Sequence, residues 1–199
     1  SPKLRQSFSK MGFVRPSALI RPASRRNAVM VGRSMSISGV TKTTVKVAPQ
    51  SGVHLQGDGT LWGMGNSDYG RLGNMGGGGS RHNPVQIPGV TDVVGVAAGY
   101  EHSLFLESNG TLRAMGRNGE GQLGIGSTSD QTNPVQVIGG TGVTSVVAGY
   151  KHSAFVKSDG SLWAMGRNNE GQLGDGTTSN RHSPVKIIND HVVAIAAGI

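Results

Sequence analysis

The sequence predicts an all-β protein preceded by a basic arm, and two observations support this. First, a Gly-Thr/Ser-Leu string after Asp or Asn recurs at Gly59, Gly110 and Gly160, and residues 99–138 and 149–188 align without a gap with 24 of 40 positions identical. Second, short apolar runs alternate with glycine-rich turns, and no long stretch has the 3.6-residue period of a helix. Repeats of about 50 residues with four short strands each predict the four-stranded antiparallel blades of a β-propeller.

The second repeat shows how each element is predicted. Asn109-Gly110 predicts a tight hairpin, because both central residues of a type I′ turn need a positive φ. Pro134 is expected at the start of the last strand, where no ladder donor is lost. The predicted strands are Val93–Ala98, His102–Glu107, Thr111–Met115 and Val135–Ile138.

The repeats divide the chain into four ranges. The arm occupies residues 1–44, a divergent blade 45–98, a second blade 99–148, and a third blade 149–199 that includes the start of a further blade at Val192–Gly198. Three blades cannot close a ring, so we expect a partial propeller in a polypeptide that continues, with completion by a partner as the alternative.

Two recurring motifs carry a resemblance to a known family. Gly99-Tyr100-Glu101-His102-Ser103 returns as Gly149-Tyr150-Lys151-His152-Ser153, and residues 163–177 repeat the second motif around Gly171-Gln172-Leu173-Gly174. Both resemble the regulator of chromosome condensation repeat family, which implies a β-propeller. The structural signature residues are Gly99, His102, Gly110, Gly116, Gly121, Leu123, Gly124, Pro134, Gly149, His152, Gly160, Gly166, Gly171, Leu173, Gly174 and Pro184.

The arm carries the net charge of +8, since residues 1–57 hold ten basic residues and no acid, whereas residues 58–199 hold nine basic and eleven acidic ones. Its Arg- and Ser-rich, acid-free composition is typical of a transit peptide and suggests a mitochondrion or plastid, with nucleus or cytoplasm as alternatives. Other protein subunits, RNA or an anionic surface could bind such an arm. The candidate partner-binding residues are Arg15, Arg21, Arg25, Arg26 and Arg33.

The blades show no catalytic, cofactor-binding or metal-binding constellation, so the sequence predicts a protein that is not an enzyme. The chain has no cysteine, which excludes disulfides and thiolate chemistry. His102 and Ser103 are neighbours on a strand and point to opposite faces, so they cannot form a nucleophile–base pair. His102 and His152 are interpreted as structural hydrogen-bonding residues within or between blades. No stretch has the roughly 20 apolar residues of a membrane-spanning helix.

These observations favour a scaffold or interaction subunit of a larger, organellar complex, in which the blades bind protein and the arm threads into the assembly. No small-molecule substrate is expected. The family resemblance supports an alternative, a regulator that promotes guanine-nucleotide exchange or binds chromatin.

Overall fold

The computed structural model describes residues 44–47, 51–73 and 79–198, with residues 44–47 described as backbone. Within these ranges, twelve strands form three separate four-stranded antiparallel sheets. This confirms the predicted all-β class and the unclosed, blade-like arrangement. Residues 1–43 of the arm, including Arg15, Arg21, Arg25, Arg26 and Arg33, lie outside the described residues, and Thr44 is the first residue of the first strand.

Sheet 1 is formed by four strands that are adjacent in sequence and in space. A short 3₁₀ turn at Asp68–Gly70 follows the third strand. Ser51 pairs with Gly65 at the end of the central ladder. The strands are β1 Thr44–Val47, β2 Ser51–Leu55, β3 Leu61–Asn66 and β4 Ser80–Gln86.

Sheet 2 has the same order and the same register. His102 pairs with Gly116 where Ser51 pairs with Gly65, so these two positions are equivalent. The strands are β5 Val93–Ala98, β6 His102–Glu107, β7 Leu112–Gly116 and β8 Gln131–Gln136.

Sheet 3 repeats the pattern a second time, with His152 paired to Gly166. Residues 192–198 belong to none of the three sheets, but Val192 N–H donates to Gly160 O at 3.1 Å, as Val143 N–H donates to Gly110 O at 3.0 Å before β9. Residues 192–198, the tail, therefore follow the path that the first strand of a further sheet would take. The strands are β9 Val143–Ala148, β10 His152–Lys157, β11 Leu162–Gly166 and β12 Arg181–Ile188.

The sequence periods and the sheets are offset by one strand. The range 45–98 ends with β5, and 99–148 ends with β9, yet each of these strands pairs within the following sheet. Each covalent repeat thus contributes its last strand to the next sheet.

The prolines lie deeper in their strands than the sequence predicts. Pro134 was expected to introduce a strand at Val135, but β8 already begins at Gln131. The β7–β8 register is irregular between Ala114 and Gly116, and β8 is an edge strand. An edge or bulge position tolerates a residue without an N–H donor, which explains the difference.

Two apolar cores lie between successive sheets. The first joins Leu55, Leu61 and Leu72 of the first blade to Phe105 and Met115 of β6 and β7. The second joins the opposite faces of those strands to sheet 3; its members include Leu104, Leu106, Leu112, Leu123, Phe155 and Met165. Because side chains alternate between faces along a strand, sheet 2 is buried on both sides.

Candidate interaction surface

A buried histidine joins sheet 2 to sheet 3. His102 Nε2 lies 2.8 Å from Ser153 Oγ, and the Ser153 hydroxyl donates to Gln122 O, also at 2.8 Å. Since that hydroxyl proton is already used, the ring N–H must be on Nε2 and must donate to Ser153 Oγ. His102 Nδ1 is left buried without a hydrogen-bond partner.

The environment of His102 keeps its ring neutral. Burial lowers its pKa to about 3, with smaller contributions from His152 and Arg71. Ser153 is fully buried, so its hydroxyl faces the neighbouring sheet rather than a substrate. This histidine and serine therefore connect two blades.

At the interface between sheets 1 and 2, Ser103 takes the place of Ser153, but a serine instead of a histidine stands at the His102 position. Ser103 Oγ donates to Arg71 O at 2.9 Å, and Ser51 occupies the position that His102 occupies one sheet later. The Arg71 side chain is 1% exposed, donates to Tyr100 O at 3.2 Å and lies 3.8 Å from Glu101 Oε1. A charged side chain thus takes part in the first interface.

Gly99 and Gly149 are required because neighbouring atoms lie too close to leave room for a side chain. A Cβ on Gly99 would lie 2.1 Å from His102 Cε1 and 2.7 Å from Gly149 O. A Cβ on Gly149 would meet His152 Cε1 at 2.2 Å. Any side chain at these positions would displace the histidine and the neighbouring strand.

The remaining signature residues lie in turns, at strand ends, in the loop before the last strand or within that strand. Leu123 and Leu173 are buried. Gly110 and Gly160 have positive φ in hairpin turns, and Gly116 and Gly166 end β7 and β11. The loop glycines are Gly121, Gly124, Gly171 and Gly174, and the prolines Pro134 and Pro184 lie in β8 and β12.

Two loop asparagines also organise the blades. Asn118 and Asn168 are fully buried, and their Oδ1 atoms accept from Leu123 N–H and Leu173 N–H at 3.0 Å. Their Nδ2 atoms donate to loop carbonyls such as Ser129 O and Ser179 O. Sequence reasoning did not single them out, although both lie in the Arg-Asn-x-Glu-Gly motif of the repeats.

A band of aromatic and basic side chains from all three blades consists of two contact groups, Tyr69 with Arg117, and Tyr100 with Tyr150 and Lys151. We call it the tyrosine–basic band and define it as Tyr69, Tyr100, Arg117, Tyr150 and Lys151. The Tyr100 and Tyr150 rings are 4.4 Å apart, the Arg117 guanidinium lies 5.1 Å from the Tyr69 ring, and Lys151 Nζ lies 5.7 Å from the Tyr150 ring. Tyr69 is 42% exposed and Tyr150 36%.

Glu101 follows Tyr100 in the chain and binds Arg117 of the band. Arg117 Nη1 donates to Glu101 Oε2 at 2.7 Å, and this bond raises the pKa of Arg117. Tyr69 has φ of +61°, an uncommon value for a non-glycine residue. Sequence reasoning predicted none of these band residues as partner-binding, because their proximity arises from three different repeats.

No metal-type cluster appears in the described ranges: no three His, Asp or Glu side chains there could hold an ion together. Asp58 and Asp159 accept hydrogen bonds from residues two positions later, Thr60 and Ser161, as expected of turn-forming aspartates. Among the residues that the structure describes, no helix has the length and apolar character needed to cross a bilayer.

The family model for the regulator of chromosome condensation (RCC1) repeat matches residues 58–106, 109–156 and 159–199. The chain belongs to the RCC1 repeat family. These matches cover β3 and β4 of sheet 1, nearly all of sheets 2 and 3, and the tail, so the repeats seen in the sequence are RCC1 repeats.

Individual relatives agree with this assignment. The chain is 37% identical to the ultraviolet-B receptor UVR8 of Arabidopsis thaliana over 79 residues, which cover 39% of this chain and 18% of the receptor. It resembles the structure of human WBSCR16 with a TM-score of 0.64 and 26% identity, over 73% of this chain and 39% of that one. The chain thus spans less than half the length of each of these two proteins.

A second similar structure is yeast RCC1 (Prp20), solved bound to Kap60. Its TM-score is 0.68 at 22% identity, over 78% of this chain and 39% of Prp20. At this identity the likeness shows the fold, an RCC1-type arrangement of blades.

Proposed function

We propose that this protein is a non-enzymatic interaction subunit of a larger, organellar assembly, with the RCC1 blades as its protein-binding surface and residues 1–44 as its anchor. The tyrosine–basic band is the observation that carries the proposal. Tyrosine and arginine are enriched where proteins bind one another, because they combine a large apolar area with directional hydrogen bonding.

The internal contacts of the band suit it to protein recognition. Glu101 neutralises Arg117, and Lys151 Nζ lies 3.7 Å from Glu120 Oε1, so the band is aromatic without a large excess of positive charge. Such a surface matches a protein partner of mixed polarity better than a phosphate backbone. The exposed parts of Tyr69 and Tyr150 would form the centre of the contact.

The arm supports the organellar part of the proposal by composition. Residues 1–40 hold eight basic residues, eight serines and no acid, which is typical of transit peptides and of segments that bind anionic partners. Anchoring by the arm and binding by the blades are separate contributions and can be tested separately.

The test is affinity purification of the full chain from its native cells with quantification of the co-purifying proteins. The double variant Tyr69→Ala/Tyr150→Ala should lose a defined set at least about fivefold, as truncation of interface aromatics does. Ile138→Ala is the matched control, since Ile138 is a 50% exposed apolar residue outside the band. An unchanged set with the double variant would contradict binding through the band.

Two further measurements separate the alternatives. Deletion of residues 1–40 should release the chain from the assembly; unchanged co-purification would contradict anchoring by the arm.

Accelerated nucleotide release from a small GTPase, lost in the double variant, would replace the scaffold proposal by an RCC1-type exchange regulator.

A further inference from the structure

Sheet 3 presents a face that has no neighbouring sheet in the described residues. On sheet 2 the equivalent face is covered by sheet 3, and its Leu104, Leu112 and Gln122 are fully buried. On sheet 3 the corresponding Ala154 and Leu162 are only half-buried and Gln172 is exposed. We call this side of sheet 3 the free face.

The two internal interfaces show what such a face receives. Each incoming sheet supplies a serine hydroxyl to a backbone carbonyl: Ser103 to Arg71 O, and Ser153 to Gln122 O. Each also supplies a charged residue two positions before that serine, Glu101 in the first case and Lys151 in the second. The serine is common to both interfaces, whereas the charge is not.

The charges are reversed between the two interfaces. Glu101 Oε1 approaches Arg71 Nη2 at 3.8 Å across the first, and Lys151 Nζ approaches Glu120 Oε1 at 3.7 Å across the second. Arg71 stands at the Gln122 position of the repeat and Glu120 at the Tyr69 position, so the two faces carry their charges at different places. A lysine in place of Glu101 would face Arg71, and a glutamate in place of Lys151 would face Glu120. Arg71 is 1% exposed and Glu101 12%, so like charges brought together there would be poorly screened.

This reversal distinguishes blades that are otherwise very similar. Residues 99–138 and 149–188 are identical at 24 of 40 positions, and both supply the serine and a buried phenylalanine, Phe105 or Phe155. Shape and hydrogen bonding therefore select poorly between them. Two charges differ in sign between these blades: Glu107 is replaced by Lys157, but Glu107 pairs with Arg113 of its own sheet, whereas Glu101 and Lys151 contact the neighbouring blade.

The free face offers the same groups that sheet 2 offers to sheet 3. His152 lies at the His102 position, Gln172 at the Gln122 position and Glu170, 77% exposed, at the Glu120 position. An open cavity of about 470 Å³ lies beside His152 and Gln172 and is also lined by Lys151 and Gly198. The cavity is where the serine loop of an incoming blade would enter.

We propose that the residue two positions before the blade serine determines which blade each face accepts, and that the free face selects an RCC1 blade with Lys or Arg at that position and rejects one with Asp or Glu. The incoming serine would bond to His152 and to Gln172 O, and the basic residue would approach Glu170.

The occupant is an RCC1 blade whose first strand is formed by residues 192–198. Residues 192–198 already take the path of its first strand, and Gly198 O bears the same close relation to Gly149 that Gly149 O bears to Gly99. A blade with the sequence of the first blade is excluded as the occupant of the free face. In β2 of that blade, Gly52 stands at the serine position and His54 at the phenylalanine position. Such a blade would leave His152 without a hydroxyl partner.

The experiment appends a copy of residues 150–198 after Gly198, so that a blade with Lys151 and Ser153 meets the free face. The matched control is the same chain with Lys151→Glu in the appended copy only. Hydrogen–deuterium exchange is followed in β11 and the loop to residue 173 of the original blade, with the appended copy isotopically labelled by segmental ligation so that its identical peptides differ in mass. The lysine copy should slow exchange there, and the glutamate copy should reduce this protection roughly tenfold, as expected for juxtaposed like charges.

A reciprocal exchange keeps the proposal falsifiable if the glutamate copy folds poorly. Glu170→Lys in the original blade should restore protection by the glutamate copy and weaken protection by the lysine copy. Equal protection by both copies, protection by neither, or failure of Glu170→Lys to reverse the preference would overturn the proposal. The inference does not depend on the proposed function.

Discussion

At the scale of single residues, the blades are joined by a few buried polar contacts of known geometry. His102, Ser153 and Gln122 form a chain of two hydrogen bonds, and all three side chains are buried. Buried hydrogen bonds contribute modestly when made, but a buried donor or acceptor left unpaired is costly. The serine hydroxyl satisfies two groups at once and is the most sensitive member.

Ser153→Ala should lower the free energy of unfolding by about 2 kcal/mol, because the His102 Nε2–H and the Gln122 carbonyl would both lose their partner. Urea unfolding followed by tryptophan fluorescence measures this. Ser158→Ala is the control, since Ser158 is exposed and should change stability by less than about 0.5 kcal/mol. Equal effects of the two variants would contradict a structural role for the bridge.

The depressed pKa of His102 predicts acid sensitivity. In the unfolded chain this ring has a pKa near 6.5, whereas in the folded protein burial lowers the pKa to about 3. Between these values the unfolded state binds one more proton, so this ring makes stability fall as pH falls from 6.5 towards 3, by at most about 1.4 kcal/mol per pH unit.

His102→Gln tests this pH dependence, because an amide can still donate to Ser153 but does not titrate. The free energy of unfolding should depend less steeply on pH in the variant than in the wild type between pH 6 and 4, whatever the absolute stability. Parallel curves would show that His102 is not the group responsible.

At the scale of elements, each blade is a four-stranded sheet, and a glycine after its first strand lets that strand pack closely against its neighbours. Gly99 has an ordinary backbone φ, so its requirement is steric rather than conformational. A Cβ at this position would lie only 2.1 Å from His102 Cε1. The glycine therefore allows the end of β5 to pass beside β6 and against the next blade.

Gly99→Ala should therefore destabilise the protein by about 1–3 kcal/mol through overpacking of the interface between sheets 2 and 3. Gly119→Ala is the matched control, because the nearest atom to its Cβ position is Arg117 Nε at 3.9 Å. Thermal unfolding compares the two variants. A loss of stability with Gly119→Ala as large as that with Gly99→Ala would contradict the steric explanation.

At the scale of the whole molecule, the described blades form a linear series in which each sheet is stabilised by its neighbours. In such repeat arrays stability is close to a sum of blade and interface contributions, so damage to one interface has local consequences. Glu101 is the clearest case, because it contacts Arg71 of the preceding blade and Arg117 of its own.

Glu101→Gln should leave Arg71 without its carboxylate and increase hydrogen exchange in β2 and β3 at least about tenfold more than in β10 and β11, as expected if the loss is local. Glu107→Gln is the control, since Glu107 pairs with Arg113 within one sheet. A uniform increase across all three sheets would contradict the local explanation.

Much of this architecture follows from the sequence. The positions of β5 and β6 are predicted to the residue, because alternation and Asn-Gly turns are local signals. The start of β8 is not, since the effect of Pro134 depends on the edge position and bulge of that strand. The band was missed, because Tyr69, Tyr100 and Tyr150 come from three different repeats.

The sequence by itself determined the all-β class, the three repeats and the RCC1 family, because strand periodicity, turn glycines and recurring motifs act over a few residues. Only the tertiary structure decided that His102 meets Ser153, that Arg71 meets Glu101 and that Lys151 meets Glu120. The partners in each pair come from different blades, so their contact depends on how one sheet packs on the next. The reversal of charge between neighbouring interfaces is therefore visible only in the folded chain.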